Sequence, residues 1–108
     1  MSEIELSIII VTWNSSSVID QCIDSILESR SLPSTEIIVF DNNSSDRTLQ
    51  SASLSREDVR VIQNSVNIGF TRANNEAYGL TSGQYILLLN IASLLYPFCG
   101  LYRFFRRP

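Results

Sequence analysis

The chain has 108 residues, is 44% hydrophobic and 18% charged, and carries a net charge of −3 at pH 7. That is enough for one small domain with a single core, too apolar for a disordered chain, and too acidic for nucleic acid to be the main partner. With no histidine and every basic residue an arginine, Ser-His and Cys-His nucleophiles, His-ligated metals and a P-loop lysine are excluded.

The opening "MSEIELS" is acidic and lacks the basic start of a secretory signal. "LSIIIV" (6–11) reads as a first strand. Val18, Ile19, Cys22, Ile23, Ile26 and Leu27 then recur at helical spacing, with Ser17 and Asp20 resembling a capping box and Pro33 marking the exit. "EIIVF" (36–40) is a second strand, and a short second helix is predicted over 46–53. "VRVI" (59–62) is a third strand. Phe70, Ala73, Ala77 and Leu80 share one face of a third helix, with Gly83 past its end, and "YILLL" (85–89) is a fourth strand. Short, nearly continuous apolar runs suit strands buried on both faces, hence a parallel sheet. The order β-α-β-α-β-α-β is that of an α/β domain, an open and mostly parallel Rossmann-like sheet with helices on both faces. Cys22 and Cys99 form no CxxC pair; a buried thiol and an incidental one fit a reducing compartment.

In such sheets ligands bind beyond the carboxyl ends of the strands, near the point where strand order reverses. The four strands are followed by "TWN", by "DNNSSD", by "NSVNIGF" and by Asn90. Ser44, Ser45 and Asn64 also suit plain turns and caps. Asp41, directly at the end of a buried strand, is placed to accept hydrogen bonds from a base or ribose. The first turn, "TWNSSS", contains no glycine, so the GxGxxG cradle of a dinucleotide is absent.

The blocks "LSIIIVTWNSSSVIDQCIDSI", "EIIVFDNNSSDRT", "NSVNIGFTRANNEAY" and "SGQYILLLN", in this order, resemble family 2 glycosyltransferases of the GT-A fold, and most of all their rhamnosyltransferase-like branch. The resemblance covers about residues 5–90 and implies a nucleotide-sugar donor. Thr12 and Asn14 would sit beside its nucleoside, and Asp41 would contact the base or ribose. Asn43 and Asp46 share that loop; for Asp46 a helix-start charge is the other reading. Asn67, Gly69, Phe70, Asn74 and Asn75 match the block that lines the donor site, and Asn90 closes it. Gly69 suits a tight turn. Arg72 is read as a diphosphate partner or as a solvated helix charge, and Trp13 as rim packing or as a stacking surface for a base.

What the resemblance implies beyond Asn90 is a short acidic segment holding Mg²⁺ or Mn²⁺ against the leaving diphosphate, and much later a general base for the acceptor hydroxyl. Here "IASLLYPFCGLYRFFRRP" follows instead. Residues 1–90 hold all 11 acids and five arginines, and residues 91–108 hold Arg103, Arg106 and Arg107 with no acid. The expectation is therefore two segments: a nucleotide-sugar-binding half over 1–90, and a divergent apolar and basic tail over 91–108 arising from truncation or frameshift. No metal ligand and no catalytic residue is assigned. Residues 77–102 are uncharged, which makes a membrane span one reading of the tail and interfacial contact through its aromatics and arginines another. A four-stranded sheet would leave an open edge, inviting a homodimer. The expected function is transfer of a sugar to a cell-surface polysaccharide or glycolipid acceptor, in the cytoplasm or at the inner face of the membrane, with the chain alone inactive. The alternative is a non-catalytic nucleotide-binding or pairing module.

Overall fold

The computed structural model describes residues 3–28, 32–89, 91 and 102–108. Asn90 and Cys99, with the rest of 92–101 in the run read as a candidate membrane span, lie outside the described residues.

The strands β1 (Leu6–Thr12), β2 (Thr35–Asp41), β3 (Val59–Gln63), β4 (Tyr85–Leu89) and β5 (Tyr102–Arg106) form one sheet in the order β3-β2-β1-β4-β5. The first four are parallel, and β5 joins β4 antiparallel, pairing Tyr85 with Arg106 and Leu89 with Tyr102. The helices are α1 (Ile19–Leu27) and α2 (Phe70–Tyr78). Period-2 alternation along β1 sorts the core into two layers. Ile8 and Ile10 pack with Ile37, Val39 and α1's Ile19, Cys22 and Ile23 on one face. Ile9 and Val11 pack with Ile38, Phe40, Ile86 and α2's Ala73 and Ala77 on the other. β1 is buried along its whole length, as a central strand must be. Burial pushes the Cys22 thiol up to about 11, which keeps it protonated and inert.

Several expectations are corrected. The second helix is two short 3₁₀ turns, Thr48–Gln50 and Ala52–Ser55, broken by extended backbone at Ser51. The Ser- and Thr-rich sequence explains this, because short polar side chains compete for backbone groups. Ser17 and Asp20 form no capping box: Val18 precedes α1 without a side-chain cap, and the Asp20 carboxylate accepts the Ser53 N–H at 2.9 Å. α2 ends at Tyr78, so Leu80 falls in the turn to β4 rather than on the helix, and Phe70 is exposed rather than buried, while Gly83 lies past the helix end as expected. β3 is an edge strand with Val61 exposed, not one buried on both faces.

The sheet also does not stop at four strands. Phe105 lies 5.9 Å from the Tyr78 ring on the α2 side, and Phe104 stacks on Tyr85 at 5.5 Å on the opposite side. The Arg107 guanidinium donates to the carbonyls of Gly83 (2.9 Å) and Thr81 (3.0 Å) and sits 5.0 Å over the Tyr78 ring. Among the described residues no helix is long and apolar enough to cross a membrane.

The amino ends of the strands are tied by one carboxylate. Glu36 Oε2 accepts the Ser7 hydroxyl (2.5 Å) and both the N–H and hydroxyl of Ser82 (2.7 and 2.9 Å), while Ser7 Oγ accepts the Gly83 N–H at 2.8 Å. Partial burial pushes the Glu36 carboxyl up, but the bonds from Ser7 and Ser82, with Arg60 nearby, outweigh it and hold it below its usual value. Gly83 is required by space: a Cβ there would lie 2.6 Å from both Ser7 N and Ser7 Oγ.

Candidate functional site

Strand order reverses between β1 and β4, because the chain steps outward from β1 to β3 and then returns to the other side of β1. The carboxyl rim beside this switch is the expected ligand crevice. Three loops meet there, following β1, β2 and β3.

Asp41 anchors the first two. Its side chain is fully buried. Oδ1 accepts the hydroxyls of Thr12 and Ser44, both at 2.6 Å, and Oδ2 accepts the Ser44 N–H at 2.9 Å. A carboxylate has about four lone-pair positions, and these three bonds leave one on Oδ2. Asn14 extends the join. Its N–H donates to Ser44 Oγ (2.8 Å), and its Oδ1 accepts the N–H groups of Ser45 (2.8 Å) and Asp46 (3.3 Å). Asn14 and Asn43 both hold positive φ, 51° and 65°, a conformation asparagine tolerates better than most residues. Asp46 accepts the N–H groups of Ser16 (3.1 Å) and Thr48 (2.9 Å) and also the Thr48 hydroxyl. The Thr48 hydroxyl bond leads; desolvation comes next and opposes it, and with the bonds from Ser16 and the Thr48 N–H the balance holds the Asp46 carboxyl at about 2. Thr48 in turn accepts the Ser15 N–H at 2.8 Å.

The third loop is joined through Asn42. Asn42 Nδ2 donates to the Gly69 carbonyl (3.1 Å), Oδ1 accepts the Ile68 N–H (3.2 Å), and the Asn42 N–H donates to the Thr12 carbonyl (2.8 Å). Gly69 caps α2 at φ 85°, and its N–H donates to Asn67 Oδ1 at 2.8 Å. Asn74 is buried and donates to the Phe70 carbonyl at 3.1 Å, a bond within its own helix.

The predicted residues therefore divide. Thr12, Asn14, Asp41 and Asp46 are brought together as one hydrogen-bonded unit. Asn67, Gly69 and Phe70 form a second cluster at the start of α2. Asn74 faces the core, whereas Asn43, Asn67, Phe70 and Asn75 are exposed. Trp13 is 56% exposed, so it does not pack into the rim. Arg72 is exposed and lies 3.9 Å from Glu76 one helical turn on, as a solvated helix charge would. Asn42 and Thr48 were passed over in the sequence. The only signals for them were the repeated Asn in "DNN" and a Thr two residues after an acid. Among the described residues no three metal-ligating side chains come together. The described residues do not fit a divalent cation site.

The profile of glycosyl transferase family 2 matches residues 7–90, which span every element from β1 to β4. The chain belongs to this family. Two curated relatives agree. An uncharacterised glycosyltransferase of Haemophilus influenzae is 30% identical over 95 residues, covering 85% of this chain and 29% of the relative. A poly(ribitol-phosphate) beta-glucosyltransferase of Bacillus spizizenii is 34% identical over 92 residues, covering 80% and 14%. The family 2 chain thus spans under a third of each relative's length. Among solved structures, S. aureus TarS 1-349 in complex with UDP-GlcNAc superposes with TM-score 0.72 at 26% identity, over 85% of this chain and 29% of TarS. The mannosyltransferase of Pyrobaculum calidifontis in complex with GDP-Man and Mn²⁺ superposes with TM-score 0.74 at 20% identity, over 83% and 28%. These likenesses identify the open α/β sheet as a GT-A fold.

Proposed function

We propose that the carboxyl rim binds the nucleoside diphosphate part of a nucleotide sugar, and that residues 1–90 are the donor-binding half of a glycosyltransferase acting on a cell-surface polymer or glycolipid. The observation that carries this reading is the joining of three strand-end loops, 12–16, 41–46 and 67–69, through Asp41, Asn14 and Asn42, inside the segment that matches the family. In this reading Asp41, fully buried, shapes the crevice from beneath through Thr12 and Ser44 rather than touching base or ribose as the sequence suggested, and Asn43, Asn67, Phe70 and Asn75 line the open side. Asn90 is proposed to close the site. The neighbours and relatives support a nucleotide-sugar donor and a cell-wall type of acceptor. The blocks "TWN", "DNNSSD" and "NIGFTRANN" support kinship with the rhamnosyltransferase-like branch.

Sugar transfer breaks the bond to the diphosphate as negative charge grows on the leaving group. The residues described here bind and orient the donor. A divalent cation in the whole enzyme belongs to this proposal, with ligands other than the described residues. A second reading, a nucleotide-binding module that transfers nothing, is favoured by the missing cluster of metal ligands among those residues. Calorimetric titration with UDP, GDP and their sugars, with and without Mn²⁺, tests both. Saturable binding supports the rim as a donor site, and metal-stimulated donor hydrolysis separates the enzyme from the module. No binding by any of them overturns the proposal.

A further inference from the structure

We propose that Asn42 is a positioning residue, one that fixes the Gly69 turn and the first turn of α2 against the bound nucleotide without touching it. This rests on the reading of the carboxyl rim as a nucleotide site. Asn42 is 2% exposed, so its side chain is turned inward, away from any ligand. Both ends of its amide are used on the same loop, Nδ2 on the Gly69 carbonyl and Oδ1 on the Ile68 N–H. Its own N–H holds the Thr12 carbonyl, so one residue ties the ends of β1 and β2 to the start of α2. The loop it holds needs holding. Gly69 stands at φ 85° with open space where a Cβ would be, so the packing at this turn comes from Ile68 against the α2-side core and not from residue 69. It carries the exposed Phe70 and Asn67. Without the Asn42 amide, the bonds left at Gly69 among the described residues are its N–H to Asn67 and the Ala73 N–H to its carbonyl, both internal to the loop and its helix, while Asn64 N–H still holds the loop's start to the Asp41 carbonyl.

The test uses the unliganded chain first. In N42A, exchange of the Ile68 amide is expected to quicken about tenfold or more, while the β1 amides of Ile9 and Ile10 keep their protection. UDP or GDP affinity is expected to fall about tenfold, the loss of two neutral hydrogen bonds. N42D supplies the readout that general destabilisation would not give. At pH 7 its carboxylate still accepts from Ile68 but repels the Gly69 carbonyl. As pH falls through the range of the new carboxyl, which burial at this site raises above the usual value of about 3.9, the protonated group donates again, so affinity recovers relative to wild type. If N42A does not fold, N42D carries the same test. Unchanged Ile68 exchange in N42A, wild-type affinity in N42A, or an N42D affinity deficit that does not respond to pH overturns the proposal. If the wild type binds neither nucleotide, the rim reading fails, and Ile68 exchange alone decides whether Asn42 holds the loop.

Discussion

The two ends of the sheet use the same side-chain chemistry for different purposes. At the amino rim, Glu36 gathers Ser7 and Ser82, Gly83 lies against the β1 backbone, and Arg107 clamps the outside. At Gly83 itself a single methyl group has no room. At the carboxyl rim, Asp41 gathers Thr12 and Ser44 in a similar way. But the loops beyond it are open, carry asparagines at positive φ, and expose Trp13 and Phe70. The amino rim is locked at Gly83 but has an open hollow beside Ser82, Gly83 and Arg107, whereas the carboxyl rim is shaped by hydrogen bonds and presents its loops to solvent. Backbone strain concentrates where a function needs it, and among the described residues the positive-φ positions Asn14, Asn43 and Gly69 all stand on the carboxyl rim.

Substitutions at each rim break or sharpen that contrast. The largest effect is expected from G83A. The new methyl meets the Ser7 and Leu6 backbone as well as the Ser7 hydroxyl, so a loss of about 3 kcal/mol is expected by thermal or urea unfolding. Nucleotide affinity of the folded fraction should not change, and a matching loss of affinity would erase the distinction between the rims. D41N comes next. It puts an amide N–H₂ where the carboxylate accepts three donors, which should cost about 2 kcal/mol and weaken nucleotide binding about tenfold or more. Stability loss with full affinity would assign Asp41 to the scaffold alone. R107A should cost about 1 kcal/mol, read as faster exchange of the Tyr85–Leu89 amides with affinity intact. The smallest effect belongs to Asp46. Its folded value of about 2 lies below the usual 3.8, so the stability it adds is complete above pH 3.8 and lost as pH falls through about 2. Acid unfolding of D46N should be flatter than wild type across that window; identical curves would mean the Asp46 bonds contribute nothing.

Much of the fold was legible, and for identifiable reasons. The runs at β1, β2 and β4 are nearly all Ile, Val and Leu, and such runs have few places to go except a buried parallel sheet. The blocks after β1 and β2 pointed to Thr12, Asn14, Asp41 and Asp46, which the structure joins. Less local features were not legible. In "DNN" nothing distinguishes the inward Asn42 from the outward Asn43, because that choice is made by Ile68 and Gly69, 26 and 27 residues away. Gly83 read as a helix terminator, but its partner Ser7 is 76 residues distant. "YRFFR" looked like foreign sequence after Asn90. It forms a strand because β4 offers an unpaired edge and because Phe104 and Phe105 find Tyr85 and Tyr78 on opposite faces.

The direct test of the contrast is a titration of the isotope-labelled chain with UDP and GDP, followed by backbone amide shifts. The expected result is saturable shifts confined to residues 12–16, 41–46 and 67–70, with Ser82, Gly83 and Arg107 unmoved. Shifts centred on Ser82, Gly83 and Arg107, or none at saturating nucleotide, would contradict it.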